Sequence, residues 1–492
     1  MTGSGRDPRF TPFGRHNGMI DTGTASTARR ATPAARGLAL LTAFALAVAT
    51  GGPAPERARA QEQPTPGMPI IRDTEIEQLL RDYATPILRA AGLAQQNIRV
   101  VVLNNPAFNA FVMDGRHIFI NSGALFEAKT PNEVIGVLAH ETGHLAGGHL
   151  MRLREKLREA QTQSIIALLA GVGAMIAAGR SGNTDLGAGP ILAPQVGIQR
   201  SLLAYVRTQE DQADHAGVKF LTATHQSGRG MLELFKRLAN ETLFASARID
   251  PYFQTHPMPP DRIAALETLV KSSPYYDVKD PPALQLRHDL MRAKLSGFLD
   301  RPDTVMRRYP PSNQSLPARY ARAISAYRYG GLRQAIAQID SLIQSEPNNP
   351  YFHELKGQAL LEGGHPAEAI APLSRAVQLA PHPALIQIML GQALIATNNA
   401  KNAEEAVGLL RAALRAEPEA PDGYAQLAMA YGRKGDYGNA DLASAQAAFN
   451  RGDVATAKQL AARAKTRFAV GSPPWVQADD IVNVKMPSAK NN

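Results

Sequence analysis

The sequence of 492 residues contains no cysteine and only one tryptophan. Without cysteine the chain has no disulfides, no thiolate metal ligands and no thiol for a bacterial lipid anchor, so any metal must be held by His, Asp or Glu. The net charge is +10, and eight arginines lie within the first 60 residues. The remainder is only mildly basic and indicates no nucleic-acid partner. With 44% hydrophobic and 20% charged residues, the composition is that of a globular protein, and the length predicts two or three domains.

Long apolar runs are also missing, because neither apolar stretch reaches the about 20 residues that a bilayer-spanning helix needs. The stretch at 38–50 follows three arginines and precedes small residues at 58–60, a pattern typical of a cleaved secretory signal peptide. We therefore expect a signal peptide over 1–60 and a periplasmic location, with a retained N-terminal anchor as the alternative. The stretch at 165–178 favours a buried or interfacial helix, which would allow peripheral contact with a membrane.

After a polar linker at 61–72, the pattern indicates a mixture of helices and short strands. Apolar residues recur on one face of an amphipathic helix at 73–91. A β-branched segment at 98–103 predicts a strand. Two short apolar runs at 110–113 and 117–120 flank an Asp-Gly pair, which is a strong hairpin signal.

Helices dominate the next part of the chain. Thr130, Pro131 and Glu133 supply an N-cap, a proline in the first turn and an acid at the third position, so a helix should start here. Gly and Pro are frequent at 180–194, which predicts a loop. The periodic segments predict helices over 134–154, 198–221 and 230–243. The first of these continues from the N-cap at Thr130.

From about residue 280 the chain consists of Ala- and Leu-rich helical segments with a period near 34 residues. The tetrapeptide GQAL occurs at 357–360 and again 34 residues later at 391–394. A helix–turn–helix unit of this length is the signature of tetratricopeptide (TPR) repeats, whose helix pairs stack into a superhelix with a concave surface. We expect this α-solenoid over 280–470 and a C-terminal tail at 471–492.

One repeat departs from this period. Pro381 ends a repeat, and Pro418, the next proline in this place, follows 37 residues later. We expect the additional residues to lie in the turn at 398–403.

Residues 140–144 read HETGH, an H-E-x-x-H motif within the helix predicted over 134–154. Residues i and i+4 lie one turn apart on the same face, so His140 and His144 can bind one metal ion together. Glu141 lies beside them and can act as the general base toward a water molecule. The motif predicts a zinc peptidase site with three protein ligands and an open fourth position.

The third ligand is not determined by this motif. His149 is near, but a metzincin needs its third His six residues after the second, and residue 150 is Leu; we interpret His149 as structural or as a support for a ligand. Glu210 and Asp214 are a better pair, since they share a face of a second helix. Glu210 can bind the metal while Asp214 orients an imidazole through its other ring nitrogen. Arg207 can steady a carboxylate there, although the spacing alone suits a solvated charged surface equally well.

These two motifs together resemble those of the M48 family of metallopeptidases, and within it the periplasmic branch that carries C-terminal TPR repeats. The likeness covers about residues 70–270, with the repeats continuing to about residue 470. It implies a mainly α fold, in which a gluzincin-like metallopeptidase domain at 73–275, with helices and a small β-sheet or hairpin, precedes the solenoid. It also implies metalloendopeptidase activity with one Zn²⁺ per chain.

The resemblance assigns roles residue by residue. His140, His144 and Glu210 would bind zinc, and Glu141 would be the catalytic residue. The residues that match the remainder of the family's second motif are Asp214 and Arg207.

Two further elements enter through the resemblance alone. The segment 255–262 is similar to a His-Pro element of the family, in which His256 would be a fourth ligand or a switch that holds the enzyme at rest. Asn109, Ala110 and Phe111 are similar to a strand beside the cleft, along which an extended substrate would bind.

The expected function is zinc-dependent hydrolysis of misfolded or misassembled outer-membrane proteins in the cell envelope, with the TPR groove binding substrates or the assembly machinery. Two alternatives stay open. One is a periplasmic chaperone or adaptor for outer-membrane protein assembly with a mostly latent zinc site. The other is an integral membrane M48 enzyme, which would need the stretch at 165–178 to span the bilayer.

Overall fold

The computed structural model describes residues 69–161, 189–244, 252 and 256–485. The described residues form two compact units, one from parts of Gln61–Leu79 and Pro282–Asn492 and the other from parts of Leu80–Pro281. The signal peptide expected over 1–60 and the apolar stretch at 165–178 lie outside the described residues. Within the described ranges, no helix combines the length and the apolar character needed to cross a membrane.

The strands are β1 (Ile70–Ile71), β2 (Arg99–Leu103), β3 (Ala110–Val112) and β4 (His117–Asn121). β4 lies between β2 and β3, parallel to β2 and antiparallel to β3. The predicted hairpin is therefore confirmed. The carboxylate of Asp114 closes its turn by accepting hydrogen bonds of 2.7 Å from the backbone N–H groups of Arg116 and His117. Among the described strands β3 is at an edge of the sheet, where backbone groups can pair with an extended peptide.

The helices that precede residue 281 are α1 (Thr74–Ala90), α2 (Ser122–Glu127), α3 (Pro131–Gly147), α4 (Gly189–Ala223), α5 (Arg229–Phe244) and α6 (Pro260–Lys271). α1 matches the amphipathic helix expected over 73–91, and its apolar face is buried at Leu80, Tyr83 and Ile87. The short helix α2 is not predicted, because its segment is too short for a helical period to be recognised.

α3 begins where the sequence predicts but ends earlier. The Thr130 hydroxyl accepts a hydrogen bond of 3.3 Å from the backbone N–H of Glu133. The expectation that the helix runs to residue 154 is wrong, because Gly148 adopts a left-handed conformation with φ of 62°, which terminates a helix and is open to glycine. The chain is helical again at 149–161.

The loop expected over 180–194 is wrong for its last part. Residues 189–194 form the first turns of α4, which continues through the helix expected over 198–221. Pro190 is compatible with this start, because the N–H groups in the first turn of a helix have no intrahelical partners.

The helices after residue 281 are α7 (Pro282–Leu299), α8 (Pro302–Arg308), α9 (Leu316–Tyr329), α10 (Leu332–Ser345), α11 (Pro350–Glu362), α12 (Pro366–Leu379), α13 (Ala384–Ala396), α14 (Ala400–Ala416), α15 (Pro421–Arg433), α16 (Tyr437–Asn450), α17 (Val454–Lys465) and α18 (Pro473–Asn483). From α9 onward, helix pairs of the TPR type follow one another across short turns, which confirms the α-solenoid. Neighbouring repeats share one apolar cluster, in which Leu373, Leu390 and Leu410 are buried.

The repeated GQAL tetrapeptide marks a close contact within each repeat. A Cβ atom on Gly357 would lie 2.4 Å from the Leu373 side chain, and one on Gly391 would lie 2.7 Å from the Leu410 side chain. A larger residue at either position would push α11 away from α12, or α13 away from α14, because interiors are close-packed. The glycine recurs in the sequence because the same helix contact recurs.

The additional residues of the long repeat lie in a helix. The turns at 363–365 and 397–399 are equally long, whereas α14 has 17 residues and α12 has 14. The expectation that the turn at 398–403 contains the insertion is therefore wrong. A longer helix keeps the backbone groups of the additional residues hydrogen-bonded within it.

Part of the segment expected as a tail from residue 471 forms a helix. α18 buries Ala478 and Ile481 in one apolar cluster with Leu442 and Ala461 of the preceding helices. The helix covers the apolar side of the last repeat, as terminal units of solenoids do.

A group of buried charges lies in the compact unit that contains the solenoid, called the solenoid unit below. The Lys294 ammonium of α7 lies 2.8 Å from Asp73 Oδ2 and 3.2 Å from Glu75 Oε2. Glu354 Oε2 lies 3.7 Å from the same nitrogen, and the Tyr320 hydroxyl donates a 2.9 Å hydrogen bond to Glu75. Three carboxylates thus share one ammonium. Burial raises the pKa of Glu354 to about 7, although Lys294 opposes this shift.

Glu354→Gln should stabilise the solenoid unit at neutral and alkaline pH. Because the pKa of Glu354 is raised in the folded state, its contribution to stability is present at low pH and is lost as the pH rises through about 7. The amide is neutral at every pH and can still accept the hydrogen bond that the Thr74 hydroxyl donates to Glu354. We expect the melting temperature of the variant to exceed that of the wild type at pH 8, by about 2–4 °C for each kcal/mol gained. The two should match only below the ordinary pKa of 4.5, where the carboxyl is protonated in both the folded and the unfolded chain.

Thermal denaturation followed by circular dichroism measures this difference. Glu405→Gln, at an exposed position of α14, is the control and should show no such pH dependence. A Glu354→Gln variant that melts below the wild type at pH 8 would contradict the expectation.

Candidate metal centre

The close contact of α3 with α4 brings the two sequence motifs together. A Cβ atom on Gly143 would lie 2.7 Å from the carbonyl oxygen of Ala213, and one on Gly217 would lie 3.2 Å from the backbone of Ala139. Only residues without a side chain allow the two backbones to approach this closely. As a result, the H-E-x-x-H face of α3 lies against the face of α4 that carries Glu210.

The structure brings His140, His144 and Glu210 together. The Nε2 atoms of the two imidazoles are 3.0 Å apart. The Glu210 carboxylate lies 3.4 Å from each of them, with Oε2 toward His140 and Oε1 toward His144. A tetrahedral zinc site with ligand distances of about 2.0–2.1 Å has separations of roughly 3.3–3.4 Å between its ligands. The spacing therefore fits such an ion.

His256 joins this group. One ligand atom from each of His140, His144, Glu210 and His256 lies within 4.8 Å of the others, and all four residues are buried. Three imidazoles and one carboxylate are donors that suit a divalent transition metal. These residues can therefore hold a metal ion without cysteine.

Two of the imidazoles are held through their other ring nitrogen. Asp214 Oδ1 lies 2.9 Å from His140 Nδ1, and His149 Nδ1 lies 3.0 Å from His144 Nδ1. Such contacts fix the orientation of metal-binding imidazoles. His149 is the first residue of the helical segment that follows Gly148, whose left-handed conformation ends α3, and its ring lies against that of His144.

Arg207 does not steady a carboxylate, and this expectation is corrected. Its side chain is exposed, because it lies about 4.5 Å farther along α4 than Glu210, away from the imidazoles. Arg262 of α6 is in this place instead. Its guanidinium donates to both oxygens of Asp214, at 2.7 and 2.9 Å, and lies 2.8 Å from Glu210 Oε2. Sequence reasoning reached Arg262 only as the end of the His-Pro segment, since no spacing links two helices so far apart in the chain.

Glu141 is fully buried beside this group. Among the described residues, neither of its carboxylate oxygens has a hydrogen-bond partner. His256 Nε2 lies 3.5 Å from Glu141 Oε1. Burial raises the pKa of Glu141 to about 8, although His140 opposes this shift. Such a carboxylate is costly for the fold unless it faces water or a ligand, which is the environment of a general base.

Burial and the two carboxylates set the protonation of the imidazoles. Burial lowers the pKa of His144, and it lowers the pKa of His256 to about 4. Burial acts the same way on His140, but hydrogen bonds to Asp214 and Glu210 outweigh it and raise the pKa of His140 to about 9. Burial would raise the pKa of Glu210, yet the neighbouring histidines hold it well below its usual range. Glu210 is therefore ionised, and its carboxylate would favour a cation that displaces the proton from His140.

Aromatic rings that the sequence does not predict lie behind the imidazoles. Tyr252 stacks on His256 with ring centroids 4.5 Å apart and an interplanar angle of 20°. Phe235 meets His140 edge-on at 5.8 Å. These rings are buried, so they keep water away from that side of the imidazoles. No motif marks them, because packing around a site has no regular spacing.

The segment expected to bind substrate lies at the edge strand. The Asn109 carbonyl accepts a 2.9 Å hydrogen bond from the backbone N–H of Asn121, and Ala110 and Phe111 begin β3. Phe111 stacks on Phe119 of β4 at 5.4 Å. β3 also packs against α3, so this edge runs beside the helix that carries Glu141.

A pair of imidazoles on one helix, a carboxylate from a second helix and a buried acid beside them define a metallopeptidase of the gluzincin type. Residues 71–270 match the family model described as "Peptidase family M48". This part of the chain is therefore similar to the M48 peptidase domain, and the protein is a metalloendopeptidase.

Curated relatives extend the likeness beyond this region. The chain is 22% identical over 415 residues to the "Beta-barrel assembly-enhancing protease" of Yersinia pestis, with 82% of each chain covered. It is 24% identical over 293 residues to the "Putative beta-barrel assembly-enhancing protease" of Vibrio cholerae, with 58% of each covered. For the Escherichia coli protein named "Beta-barrel assembly-enhancing protease" the identity is 23% over 336 residues, with 66% of each covered.

Glu210→Gln should weaken metal binding while leaving the fold intact. The glutamine side chain is uncharged and has one acceptor oxygen toward the two imidazoles, where glutamate has two. Loss of a residue that merely supports a ligand lowers metal affinity about 10–100-fold, so we expect a decrease of at least about 100-fold in Zn²⁺ affinity. Competition with a chromogenic chelator measures it. The control is Asp211→Asn, at the adjacent exposed position of α4, which should bind Zn²⁺ as the wild type does. If Glu210→Gln bound Zn²⁺ with the affinity of the wild type, Glu210 would not be a ligand.

Proposed function

We propose that this protein is a zinc-dependent endopeptidase of the bacterial cell envelope that hydrolyses misfolded or misassembled outer-membrane proteins. The buried carboxylate of Glu141, beside His140, His144 and Glu210, carries the peptidase part of the proposal. The names of the relatives, which are β-barrel assembly-enhancing proteases, support the substrate class. The signal-peptide pattern over 1–60 and the same relatives support a periplasmic location.

His140, His144 and Glu210 hold one Zn²⁺ in this proposal. The ion, when bound, supplies Lewis acidity toward the scissile carbonyl and makes a water molecule more acidic. Glu141 accepts the proton of the attacking water and passes it to the leaving amine. The burial of Glu141 keeps bulk water away from this transfer, so the proton goes to the leaving group. Asp214 holds the His140 ring in place throughout.

The substrate binds in an extended conformation along β3, at 109–111. Pairing with an edge strand uses backbone groups of the substrate, so it demands little of the substrate's sequence. It does demand that the segment be unfolded. An enzyme that recognises its substrate in this way acts on misfolded chains of many sequences. The solenoid binds the substrate protein or the assembly machinery, since stacked TPR units present an extended surface for protein partners.

His256 holds the enzyme in a resting state. One of its ring nitrogens lies within 4.8 Å of a ligand atom from each of His140, His144 and Glu210, and its Nε2 lies 3.5 Å from Glu141 Oε1. The imidazole therefore occupies the space where the attacking water and the scissile carbonyl must lie. Activity requires that His256 move away.

Glu141→Gln should abolish cleavage and retain the metal. The amide cannot accept the proton of the attacking water, and loss of general-base catalysis lowers rates about 10²–10⁴-fold. Cleavage of an unfolded outer-membrane protein and the zinc content of the purified protein are measured together. Wild-type cleavage by the variant would show that another residue is the base.

His256→Ala should raise basal proteolysis several-fold, because it frees the space beside Glu141. His215→Ala is a matched control, since His215 is exposed on α4 and its Nδ1 contacts the Asp211 carbonyl at 2.8 Å. Both variants are compared with the wild type on the same unfolded substrate. Unchanged or lower activity in His256→Ala would exclude the resting-state role.

A chaperone or adaptor for outer-membrane protein assembly, with a mostly latent metal site, is the second candidate function. The contact of His256 with Glu141 and the presence of a TPR-type solenoid favour it. If the protein is a chaperone or adaptor, cells whose only copy is Glu141→Gln keep normal levels of outer-membrane proteins. If it functions as a peptidase, these cells no longer have normal levels. Quantifying these proteins in the two strains separates the candidates.

A further inference from the structure

Arg262 contacts both the second sequence motif, at Glu210 and Asp214, and the backbone beside His256. Its Nε and Nη2 donate to the two oxygens of Asp214, at 2.7 and 2.9 Å. Its Nη1 donates to the Pro257 carbonyl at 2.9 Å and lies 2.8 Å from Glu210 Oε2. One guanidinium thus touches a metal-facing carboxylate, the carboxylate that orients His140, and the backbone next to His256.

The two carboxylates need such a partner. Glu210 and Asp214 are each 3% exposed, so neither can rely on water to stabilise its charge. They also lie one helical turn apart and repel each other. A planar guanidinium with a fixed fork of donors fixes the orientation of a carboxylate, as a point charge on a flexible stem does not. The side chain of Arg262 is itself buried, which strengthens these contacts.

The link between His256 and Arg262 is stiff. Pro257, Pro259 and Pro260 lie within it, and each ring fixes its own φ. At the end of the link, the backbone N–H of Arg262 donates a 3.0 Å hydrogen bond to the Pro259 carbonyl where α6 begins. Few torsions can change between the two residues. The position of His256 therefore depends on where Arg262 is anchored, as well as on Tyr252, whose carbonyl accepts a 2.7 Å hydrogen bond from the His256 backbone N–H.

We infer that Arg262 is a positioning residue that couples the metal-binding carboxylate to the resting position of His256. It holds Glu210 toward the imidazoles, and through Pro257 it holds His256 on the same group. Loss of its contacts loosens both at once. The inference rests on the metal-binding role proposed above and adds a residue that neither motif contains.

The test uses the mature full-length protein with Arg262→Lys and Arg262→Met. Zn²⁺ affinity is measured by chelator competition, and the visible spectrum of the Co²⁺-substituted protein reports the number and geometry of the ligands. We expect both variants to lose about 10–100-fold in Zn²⁺ affinity. Lysine should not restore it, because one ammonium cannot hold the Asp214 carboxylate at two points and also reach Glu210. The Co²⁺ spectrum of both variants should change in the direction that His256→Ala produces.

Lys271→Met is the matched control, because Lys271 lies at the exposed end of α6 and pairs with Glu267. It should leave affinity and spectrum unchanged. Circular dichroism of the metal-free variants checks that they fold. If Arg262→Met does not fold, the test rests on Arg262→Lys, which keeps the buried charge. Wild-type Zn²⁺ affinity in Arg262→Lys would overturn the positioning of Glu210, and a wild-type Co²⁺ spectrum would overturn the coupling to His256.

Neither measurement depends on proteolysis. A wild-type protein that binds both ions but cleaves no unfolded substrate would count against the proposed function and leave the inference about Arg262 intact. A wild-type protein that binds neither ion would overturn both.

Discussion

The distance between α3 and α4 decides whether this protein can bind a metal ion, because two imidazoles come from one helix and the carboxylate from the other. Gly143 and Gly217 set that distance, since a single methyl group at either position would meet backbone atoms of the facing helix. Metal–ligand distances tolerate deviations of only about 0.2 Å. Helices held apart by a side chain would withdraw Glu210 beyond that limit, although every ligand would still be present in the sequence.

Other side chains of the centre orient the residues that this helix contact brings together. Asp214, His149 and Arg262 contact His140, His144 and Glu210 respectively, and each comes from a different segment of the chain. Such a site works against the stability of the fold, because it buries charges and leaves Glu141 without a hydrogen-bond partner among the described residues. The aromatic and aliphatic residues packed around it must offset that loss.

What could be predicted from the sequence follows from regular spacing. His140 and His144 are predictable because a separation of four residues is the helix period, and the solenoid is predictable because GQAL recurs with its helix contact. Glu210 needed a second motif and a family resemblance, since nothing local links it to α3. Arg262 was reached only as the end of the His-Pro segment and Tyr252 was not predicted at all, because their contacts depend on the path of the chain between helices. The end of α3 was missed for a different reason: one left-handed glycine, Gly148, overrides a helical pattern that continues beyond it.

In the proposed mode of binding, recognition by an edge strand limits which peptides the catalytic region can select. β3 offers backbone groups, so it distinguishes an extended chain from a folded one but hardly one sequence from another. In the proposed periplasmic location, an endopeptidase with so little sequence preference would endanger every protein that unfolds briefly. Under this proposal control acts on access to Glu141 rather than on subsites, and the resting-state role proposed for His256, whose Nε2 lies 3.5 Å from Glu141 Oε1, would supply that control. A resting enzyme of this kind is released by binding a partner better in the open state than in the closed one, and a TPR solenoid is a surface suited to such a partner.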